Sequence, residues 1–566
     1  MTQPSLVDWE YWHNVWPTRR TLLTRGNAAD GFPRPLTPLT QDLVVIFENS
    51  GVHDFLEKCL KVRKPGGPRP PFWMAFWGYV AVDADQHADL GDAMPGNSRR
   101  ATLQRYSNLK PDPDQTEPAR RLRDVPRRAA VTMRMIRSGR RAPRRIEAQL
   151  ATIRGLRRDP ARLDERECRR WIDDLEAVHS AAWETLLIGA GIAGTAFTFT
   201  TRLLGWATRG RAGDLANRLH VGIGNNESAE MGHTVRRLAE HARSHAAVGA
   251  ALGRPVDEVL ATDASFAELF AAALERFGFH TAPELELAQP TWRQEPRQLL
   301  DLVAREYARP SEAAETAQTT RRQAEADLRA QVPAFARLPI RLALRGSRHM
   351  MGVRENSKAP AVLIFDELRR VLEGAGPLLV ARGVIAEPGD ALYLRYAELK
   401  AVLGGADGPG RAEIDERKLQ LQRCNQVTLP DLFEAEPGWV GLPSAEAFRS
   451  RGMLPPETTS ADDSVIRGVA ASPGRVTATV RVLADPFDDF EPGDVLVTRT
   501  VDPGWAAALA SAGGVVLDIG GPMSHGAMVA RELGVPCVVG TKVATTRLTN
   551  GMTVTLDGSS GEVHIH

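Results

Sequence analysis

The sequence predicts a multidomain protein in which a large, mainly α-helical region precedes a smaller α/β domain. The chain has 566 residues, which is too long for one ordinary domain. Helical periodicity dominates up to about residue 403, whereas short strand-like runs separated by Gly and Pro follow residue 463. We therefore expect a helical domain over residues 1–436, a linker over 437–463 and an α/β domain over 464–566.

The helical region divides into three parts of different composition. Residues 1–98 are rich in Pro, Gly and aromatic residues, which predicts loops and short extended segments. Residues 99–170 are rich in Arg and Ala, and long helical patterns follow them. The predicted helices lie near residues 164–188, 228–251, 264–277, 296–330 and 360–381.

The linker and the α/β domain follow from local composition. The stretch from Pro437 to Asp463 is dense in Pro, Gly, Ser and acidic residues and shows little periodicity, which is typical of a hinge. Helices are predicted at about 503–511 and 524–533. The strand-like runs around them are VIRGVAASPG, TATVRVL, DVLVT, GVVLD, PCVVG and TVTLDG.

Charge, cysteine content and hydropathy exclude several classes of protein. Lys and Arg total 71 and Asp and Glu total 70, so no global charge attracts nucleic acid, a membrane surface or a polyanion. No signal peptide and no run of about eighteen apolar residues is evident, so we expect neither a membrane span nor secretion. A reducing cytoplasm is the expected location, since the four cysteines are too scattered for a disulfide framework or a CxxC metal site; they are Cys59, Cys168, Cys424 and Cys537.

Two apparent motifs favour structural interpretations. GAGIAG at 189–194, with Asp214 twenty residues later, matches a dinucleotide-binding pattern, but a long helical pattern precedes it where that fold requires a strand. An arginine-rich run from 120 to 158 allows RNA or phosphate binding. It has almost no aromatic residues for base stacking, so a solvated helical face or a docking face for an acidic partner is favoured.

The stretch GGPMSHGAMVARELG, from Gly520 to Gly534, places His525 at the start of a predicted helix. A neutral imidazole can attack phosphorus, and the free N–H groups of a helix N-terminus favour the resulting anion. Ser524 is suited to binding the phosphoryl oxygens. Spacing alone leaves two interpretations open. His525 is a phosphorylated histidine at an exposed helix start, or His525 and Ser524 only cap the N-terminus of the helix.

The C-terminal motifs resemble the swivelling phosphohistidine domain of the PEP-utilising enzymes, such as phosphoenolpyruvate synthase, enzyme I and rifampin phosphotransferase. These motifs are GVAASPG, GDVLVTRTVDPGW, GGPMSHGAMVARELGVPCVVGT and LTNGMTVTLDGSSGEVHI, in that order. The resemblance implies that His525 carries a phosphoryl group between two active centres. From their positions around this helix start, Gly521, Ser524 and Arg531 are predicted to stabilise that group.

The upstream motifs resemble the helical acceptor domain of rifampin phosphotransferase. They are PRPLTPLT, NNESAEM, FGFHTAPELELAQPTW, RQLLDLVAREY, RENSK and ARGVIAEPGDALYLRYAELKAVL. That family begins with an ATP-grasp domain, whereas this sequence starts in the acceptor domain, so we expect a separate ATP-grasp partner that uses ATP and Mg²⁺. His280, Thr281 and Pro283 replace family residues in FGFHTAPELEL, which indicates an acceptor other than a rifamycin.

The expected function is a phosphotransferase component that delivers the phosphoryl group of His525 to a small, hydroxyl-bearing molecule. Arg354 and Lys358 of RENSK lie four residues apart, so on one helix they would share a face and stabilise the moving charge. The alternative for this stretch is a solvated turn in which Glu355 pairs with one of the two cations. No metal ligand and no directly bound cofactor are predicted. The alternative is a non-catalytic binding or regulatory protein of the same origin. Weaker candidates for orienting the acceptor or accepting its hydroxyl proton are Glu284, His280, Asn225, Asn226, Glu227 and Ser228.

Overall fold

The computed structural model describes most of the chain. The described residues are 21–26, 28–29, 31–61, 71–94, 97–100, 102–103, 125–210, 215–221, 227–281, 283–308, 313–426, 429–430, 432–435, 464–486, 488–501, 505–521 and 524–566. The predicted hinge at 437–463 lies outside them. Asn225 and Asn226 also lie outside them, and Ser228 is described in its backbone only.

Helices dominate the first three quarters of the described chain, as predicted. The α-helices of this part of the described chain are, in order, α1 Pro38–Asp54, α2 Ala84–Ala93, α3 Val125–Gly155, α4 Glu165–Ala207, α5 Leu215–Leu219, α6 Glu227–Ser244, α7 Ala246–Ala251, α8 Val256–Leu260, α9 Ala264–Phe277, α10 Pro296–Ala308, α11 Ala313–Gln331, α12 Ala334–Asn356, α13 Ala359–Ala381, α14 Tyr396–Leu403 and α15 Arg411–Asn425.

Four strands lie within this helical part, and eight strands with three short helices follow it. The first four are β1 Thr21–Thr24, β2 Trp73–Phe76, β3 Tyr79–Asp83 and β4 Leu432–Ala435. The C-terminal elements are β5 Val465–Arg467, β6 Val469–Ser472, β7 Arg475–Val482, β8 Val495–Thr498, α16 Ala506–Ser511, β9 Gly514–Leu517, α17 His525–Leu533, β10 Cys537–Val539, α18 Ala544–Arg547, β11 Thr553–Asp557 and β12 Glu562–Ile565. The predicted order of a helical part and an α/β part is therefore confirmed.

The chain divides into two compact units. The first comprises residues 1–192, 285–288 and 357–458, and the second comprises 193–284, 289–356 and 459–566. The second unit thus combines part of the helical region with the α/β region. The predicted domain boundaries at 436 and 464 stay a prediction.

The first unit contains an antiparallel sheet in the order β2-β3-β1-β4, in which Leu23 pairs with Phe433. Its helix α1 was not predicted, because it lies within residues 1–98, for which composition predicted loops and short extended segments. The buried carboxylate of Glu286 holds the start of α1 by accepting hydrogen bonds from the Thr37 N–H (3.0 Å), the Thr37 hydroxyl (2.8 Å) and the Thr40 hydroxyl (2.9 Å). A side chain distant in sequence therefore caps this helix.

The arginine-rich segment forms the helix α3, with one buried apolar face. Val131, Met135 and Ile146 are buried, whereas Arg137 and Arg140 are exposed. The described part of this run is therefore helical with exposed arginines, as expected, and the choice between a solvated face and a docking face for an acidic partner stays a prediction.

The GAGIAG motif lies inside the helix α4, so its helical interpretation is confirmed and a strand–loop–helix phosphate loop is excluded there. The 43-residue α4 contains an 18-residue window of mean hydropathy 1.3, of which 33% is buried. By length and composition alone this helix could cross a membrane, but apolar helices in the cores of soluble proteins share these properties. The absence of a membrane span stays a prediction.

The second unit is built around an eight-stranded sheet in the order β5-β12-β11-β7-β8-β9-β10-β6, with β7, β8, β9 and β10 parallel. Both faces are covered, which explains the unbroken apolar runs of β8 and β9. Val495 and Val516 belong to one apolar core, whereas Leu517 on the other face shares a core with Val529 of α17 and Phe270 of α9. The α/β part and the helices α6 to α10 therefore have a continuous core.

Candidate functional site

The loop before α17 has the local structure that the glycines predict. Gly520 has φ +129°, and a Cβ there would lie 2.8 Å from the Ser524 hydroxyl oxygen, so the position requires glycine. The Gly521 carbonyl accepts a hydrogen bond from the Ser524 N–H at 2.9 Å. The Ser524 side chain then caps α17 by accepting from the Ala527 N–H at 3.4 Å, and Gly534 ends the helix in the left-handed region.

His525 is the first residue of α17, as predicted, but it is not exposed. Only 8% of the residue is accessible. The expectation of an exposed phosphohistidine position was wrong, because the end of α12 packs beside this helix start. The Nδ1 atom of His525 lies 3.4 Å from the Glu355 Oε2 atom.

An apolar contact between three helices brings His525 and Glu355 together. Met528 of α17 packs with Met351 of α12 and Phe197 of α4. His525 lies one turn before Met528, and Glu355 lies one turn after Met351, so the two polar side chains meet beside the apolar contact. The sequence predicted Glu355 only as a possible partner of Arg354 or Lys358, and gave no signal that it faces His525.

Arg354 lies at the same place, but Lys358 does not share its helix. An Arg354 Nη1 atom donates to Glu355 Oε1 at 2.9 Å and also contacts the sulfur of Met528. The helix α12 ends at Asn356, and Lys358 is the residue before α13. The expectation that the two cations share one helical face was therefore wrong, since the helix breaks between them.

Arg531 is buried inside the second unit. It is 1% exposed, its Nε donates to the Ala527 carbonyl at 3.0 Å, and its guanidinium lies 5.6 Å from the centre of the Phe197 ring. Burial is the main cause that lowers its pKa, to about 10. The side chain therefore has a packing role, and its predicted role in stabilising a phosphoryl group stays a prediction.

A second cluster surrounds His280. Its Nδ1 atom is 2.6 Å from Glu284 Oε1, and its Nε2 atom is 3.6 Å from Glu227 Oε1. Burial, the largest single influence, lowers the pKa of His280, but hydrogen bonds and charges from Glu227 and Glu284 together raise it to about 10. The two carboxylates therefore favour the charged imidazolium form of His280. Its suggested roles, orienting the acceptor or accepting the hydroxyl proton, stay predictions.

The two clusters are joined through the end of α12. The Glu227 N–H donates to the Asn356 side-chain oxygen at 3.1 Å, and Asn356 follows Glu355 in the chain. The structure therefore connects the cluster of His525, Arg354 and Glu355 to the cluster of His280, Glu227 and Glu284 within the second unit. Together the two clusters contain two imidazoles, one guanidinium and three carboxylates, a set of groups that suits transfer of an anionic group.

Sequence comparisons agree with this geometry. Residues 490–561 match the mobile domain of PEP-utilising enzymes, and residues 186–355 match the fourth domain of rifampicin phosphotransferase. The first range contains His525, and the second contains Glu227, His280 and Arg354. The resemblance predicted from the sequence motifs is confirmed.

Several curated proteins are similar to the chain over about three fifths of its length. An uncharacterised protein of Mycobacterium tuberculosis is 30% identical over 60% of this chain and 36% of its own length. The prodigiosin synthesizing transferase PigC of Serratia marcescens is 28% identical (63% of this chain, 41% of PigC). A rifampicin phosphotransferase of a Streptomyces species is also 28% identical (62% and 41%). The chain therefore spans about two fifths of the length of these relatives, which support a phosphotransferase of the PEP-utilising kind.

A solved structure of enzyme I also matches, with 13% identity and a TM-score of 0.15, and covers 60% of this chain and 79% of that chain. This match carries no weight for the fold, since the TM-score is so low.

Proposed function

We propose that this chain is a phosphotransferase component in which His525 carries a phosphoryl group to a small hydroxyl-bearing acceptor. The supporting observation is the contact between His525 Nδ1 and Glu355 at 3.4 Å, inside the segment that is similar to the mobile domain of PEP-utilising enzymes. A carboxylate at Nδ1 favours the tautomer with its proton on Nδ1, which leaves the Nε2 lone pair for attack on phosphorus.

The proposed reaction has two displacements. In the first, His525 Nε2 attacks a phosphorus atom of the donor, so an N–P bond forms and the donor's P–O bond breaks. In the second, the acceptor oxygen attacks the same phosphorus, the N–P bond breaks, and the hydroxyl proton passes to a carboxylate. Arg354 stabilises the charge on the phosphoryl oxygens in this second step.

Glu227 is the better candidate for accepting that proton. Its side chain is 24% exposed, whereas that of Glu284 is 2% exposed and lies against the His280 ring. A general base must reach its proton within hydrogen-bond distance, which requires access to the acceptor. Glu284 then keeps His280 charged, and the imidazolium orients an acceptor or the phosphoryl group.

The phosphoryl donor in this proposal is a separate ATP-grasp protein or domain, which binds ATP and Mg²⁺. This chain would bind neither of them for the transfer step. A cytoplasmic location is part of the same proposal, since the donor nucleotide is found there.

The test is to incubate the chain with an ATP-grasp protein, Mg²⁺ and ATP labelled at the β-phosphate. We expect one acid-labile, base-stable phosphoryl group, which mass spectrometry at neutral pH places on His525. A parallel reaction with phosphoramidate, a small chemical phosphoryl donor, removes the dependence on the donor protein.

The two reactions separate the parts of the proposal. If phosphoramidate labels His525 but the ATP-grasp protein with ATP does not, the proposed phosphoryl donor is refuted and the carrier role of His525 is supported. Labelling of a serine, or no labelling of His525 in either reaction, would refute the carrier role and favour a non-catalytic binding protein.

A further inference from the structure

Three potential metal ligands converge at a place far along α6 from Glu227. His241 lies in the last turn of α6, His245 follows that helix, and Asp263 caps the start of α9. One ligand atom from each residue lies within 4.8 Å of the other two. None of the three residues belongs to the proposed phosphoryl-transfer cluster.

The two imidazoles are stacked face to face, so one ring must turn about its χ torsions before both in-plane lone pairs can face a single ion. Their ring centroids are 4.0 Å apart and the rings are inclined by 9°. The His245 Nδ1 atom lies 2.9 Å from the backbone carbonyl oxygen of His241, which favours a proton on Nδ1. Such a hydrogen bond is the usual support of a metal-binding histidine, because it orients the ring and leaves Nε2 as the ligand atom.

The Asp263 carboxylate is held in place from the opposite side. Its Oδ1 atom accepts from the Phe266 N–H at 2.7 Å and lies 3.0 Å from His241 Nε2. Two ligands of one small metal ion lie about 3 Å apart when each metal–ligand bond is about 2.0–2.2 Å long. The spacing between His241 and Asp263 therefore suits shared coordination as well as a direct hydrogen bond.

We propose that His241, His245 and Asp263 bind one Zn²⁺ ion, with water as a further ligand. Two imidazoles and one carboxylate suit Zn²⁺, whereas Mg²⁺ and Ca²⁺ prefer oxygen ligands throughout. The side chains of His241 and Asp263 are 15% and 24% exposed, so the site is open to solvent on one side. The bound ion fastens the end of α6 to the start of α9, and this role is independent of the proposed phosphotransferase activity.

The sequence contained a signal for this site that the sequence analysis did not use. The two histidines of HARSH are four residues apart, which places them on one face of a helix. The third ligand is eighteen residues further on and belongs to another helix, so only the tertiary structure completes the set.

The test is calorimetric titration of the untagged, chelator-treated full chain with ZnCl₂. We expect one ion per chain, and a melting temperature that rises with the Zn²⁺ concentration. His241→Ala and His245→Ala should each weaken binding at least tenfold. The matched control is His233→Ala, because His233 is an exposed histidine of the same helix α6.

A third variant separates coordination from folding. Asp263→Ser keeps a good N-cap for α9 while it removes the carboxylate, so it should weaken Zn²⁺ binding without lowering the melting temperature of the metal-free chain. The proposal is refuted if the chain binds no ion at one equivalent. It is also refuted if His241→Ala and His245→Ala bind Zn²⁺ as tightly as His233→Ala.

Discussion

His525 and His280 are both buried histidines of the second unit, and both lie beside carboxylates. They differ in the number and distance of these carboxylates. His525 has Glu355 at 3.4 Å from Nδ1, whereas His280 has Glu284 at 2.6 Å on one nitrogen and Glu227 at 3.6 Å on the other. Two carboxylates raise the pKa of His280 to about 10 although burial opposes this.

In the proposed reaction this difference gives the two side chains different chemical roles. The imidazolium form has no lone pair, so a raised pKa makes His280 a poor nucleophile and a poor base at neutral pH. A histidine with a carboxylate on Nδ1 keeps Nε2 for attack, as His525 requires in the proposed reaction. The predictions below test this division of roles, beginning with the largest effect.

Substitution of each histidine should separate the two roles. We expect His525→Ala to abolish phosphoryl labelling, because it removes the attacking nitrogen. His280→Asn should still be labelled, because His280 does not form the N–P bond. The measurement is mass spectrometry of the chain after reaction with the labelled donor. If both variants fold but neither is labelled, the proposed difference in role between His525 and His280 is contradicted.

Arg354→Ala should leave labelling of His525 nearly unchanged and slow the discharge of phosphohistidine to the acceptor by about 10²-fold. Loss of one donor that stabilises charge in the transition state commonly has this effect. The rate is measured with the hydroxyl compound that discharges the wild-type chain fastest, chosen from a panel that includes rifampicin.

Two further variants sharpen this result. Arg341→Ala is the control, since Arg341 is an exposed arginine of the same helix α12, and it should discharge at the wild-type rate. Lys358→Ala tests whether Lys358 acts at this site although it lies beyond the end of α12. If the phosphohistidine of Arg354→Ala is also discharged at the wild-type rate, Arg354 does not take part in phosphoryl transfer and has only a packing role.

Glu355→Gln should slow phosphorylation of His525 by about tenfold, because an amide fixes the tautomer and orientation of the imidazole less well than a carboxylate. The rate of labelling over time is compared with that of Glu240→Gln, an exposed glutamate of α6. A change in the pH dependence of labelling would distinguish this role from simple packing. Equal rates in the two variants would remove Glu355 from the site.

The smallest effect is on stability and concerns His280. Its pKa in the folded chain, about 10, lies above the ordinary value of about 6.5. The stabilisation from its charge is therefore complete below pH 6.5 and is lost as the pH rises towards 10. Denaturant unfolding at several pH values should show this loss in the wild type and a flatter profile in His280→Asn. Parallel profiles would show that His280 is not charged.

Much of the fold was predictable because it depends on local pattern. The period of apolar residues identified the helices around Trp171, Phe270 and Leu363, and Gly520 and Gly534 marked the two ends of the His525 segment. Helices α1, α2, α12, α14 and α15 and strand β12 were not among the predicted elements, and the single helix predicted over 296–330 is divided into α10 and α11. The reason for α1 is that its start is fixed by Glu286, a residue almost 250 positions away, rather than by a cap of its own.

The site was predictable only in part. Motif resemblance identified His525 and Arg354, but it placed Lys358 on the helix of Arg354, which ends at Asn356. It also overlooked Glu355, because nothing in the sequence shows that this carboxylate faces His525 across a contact of Met351 with Met528.

The sequence by itself determined the helix that begins at His525, the order of a helical part and an α/β part, and the arginine-rich face of α3, since each depends on residues close together in the chain. The tertiary structure alone decided the burial of His525, the charge of His280 and the meeting of Asp263 with His241. Burial and pKa depend on which groups surround a side chain in space. Those groups come from segments tens to hundreds of residues apart, and only packing of the apolar cores brings them within a few ångströms.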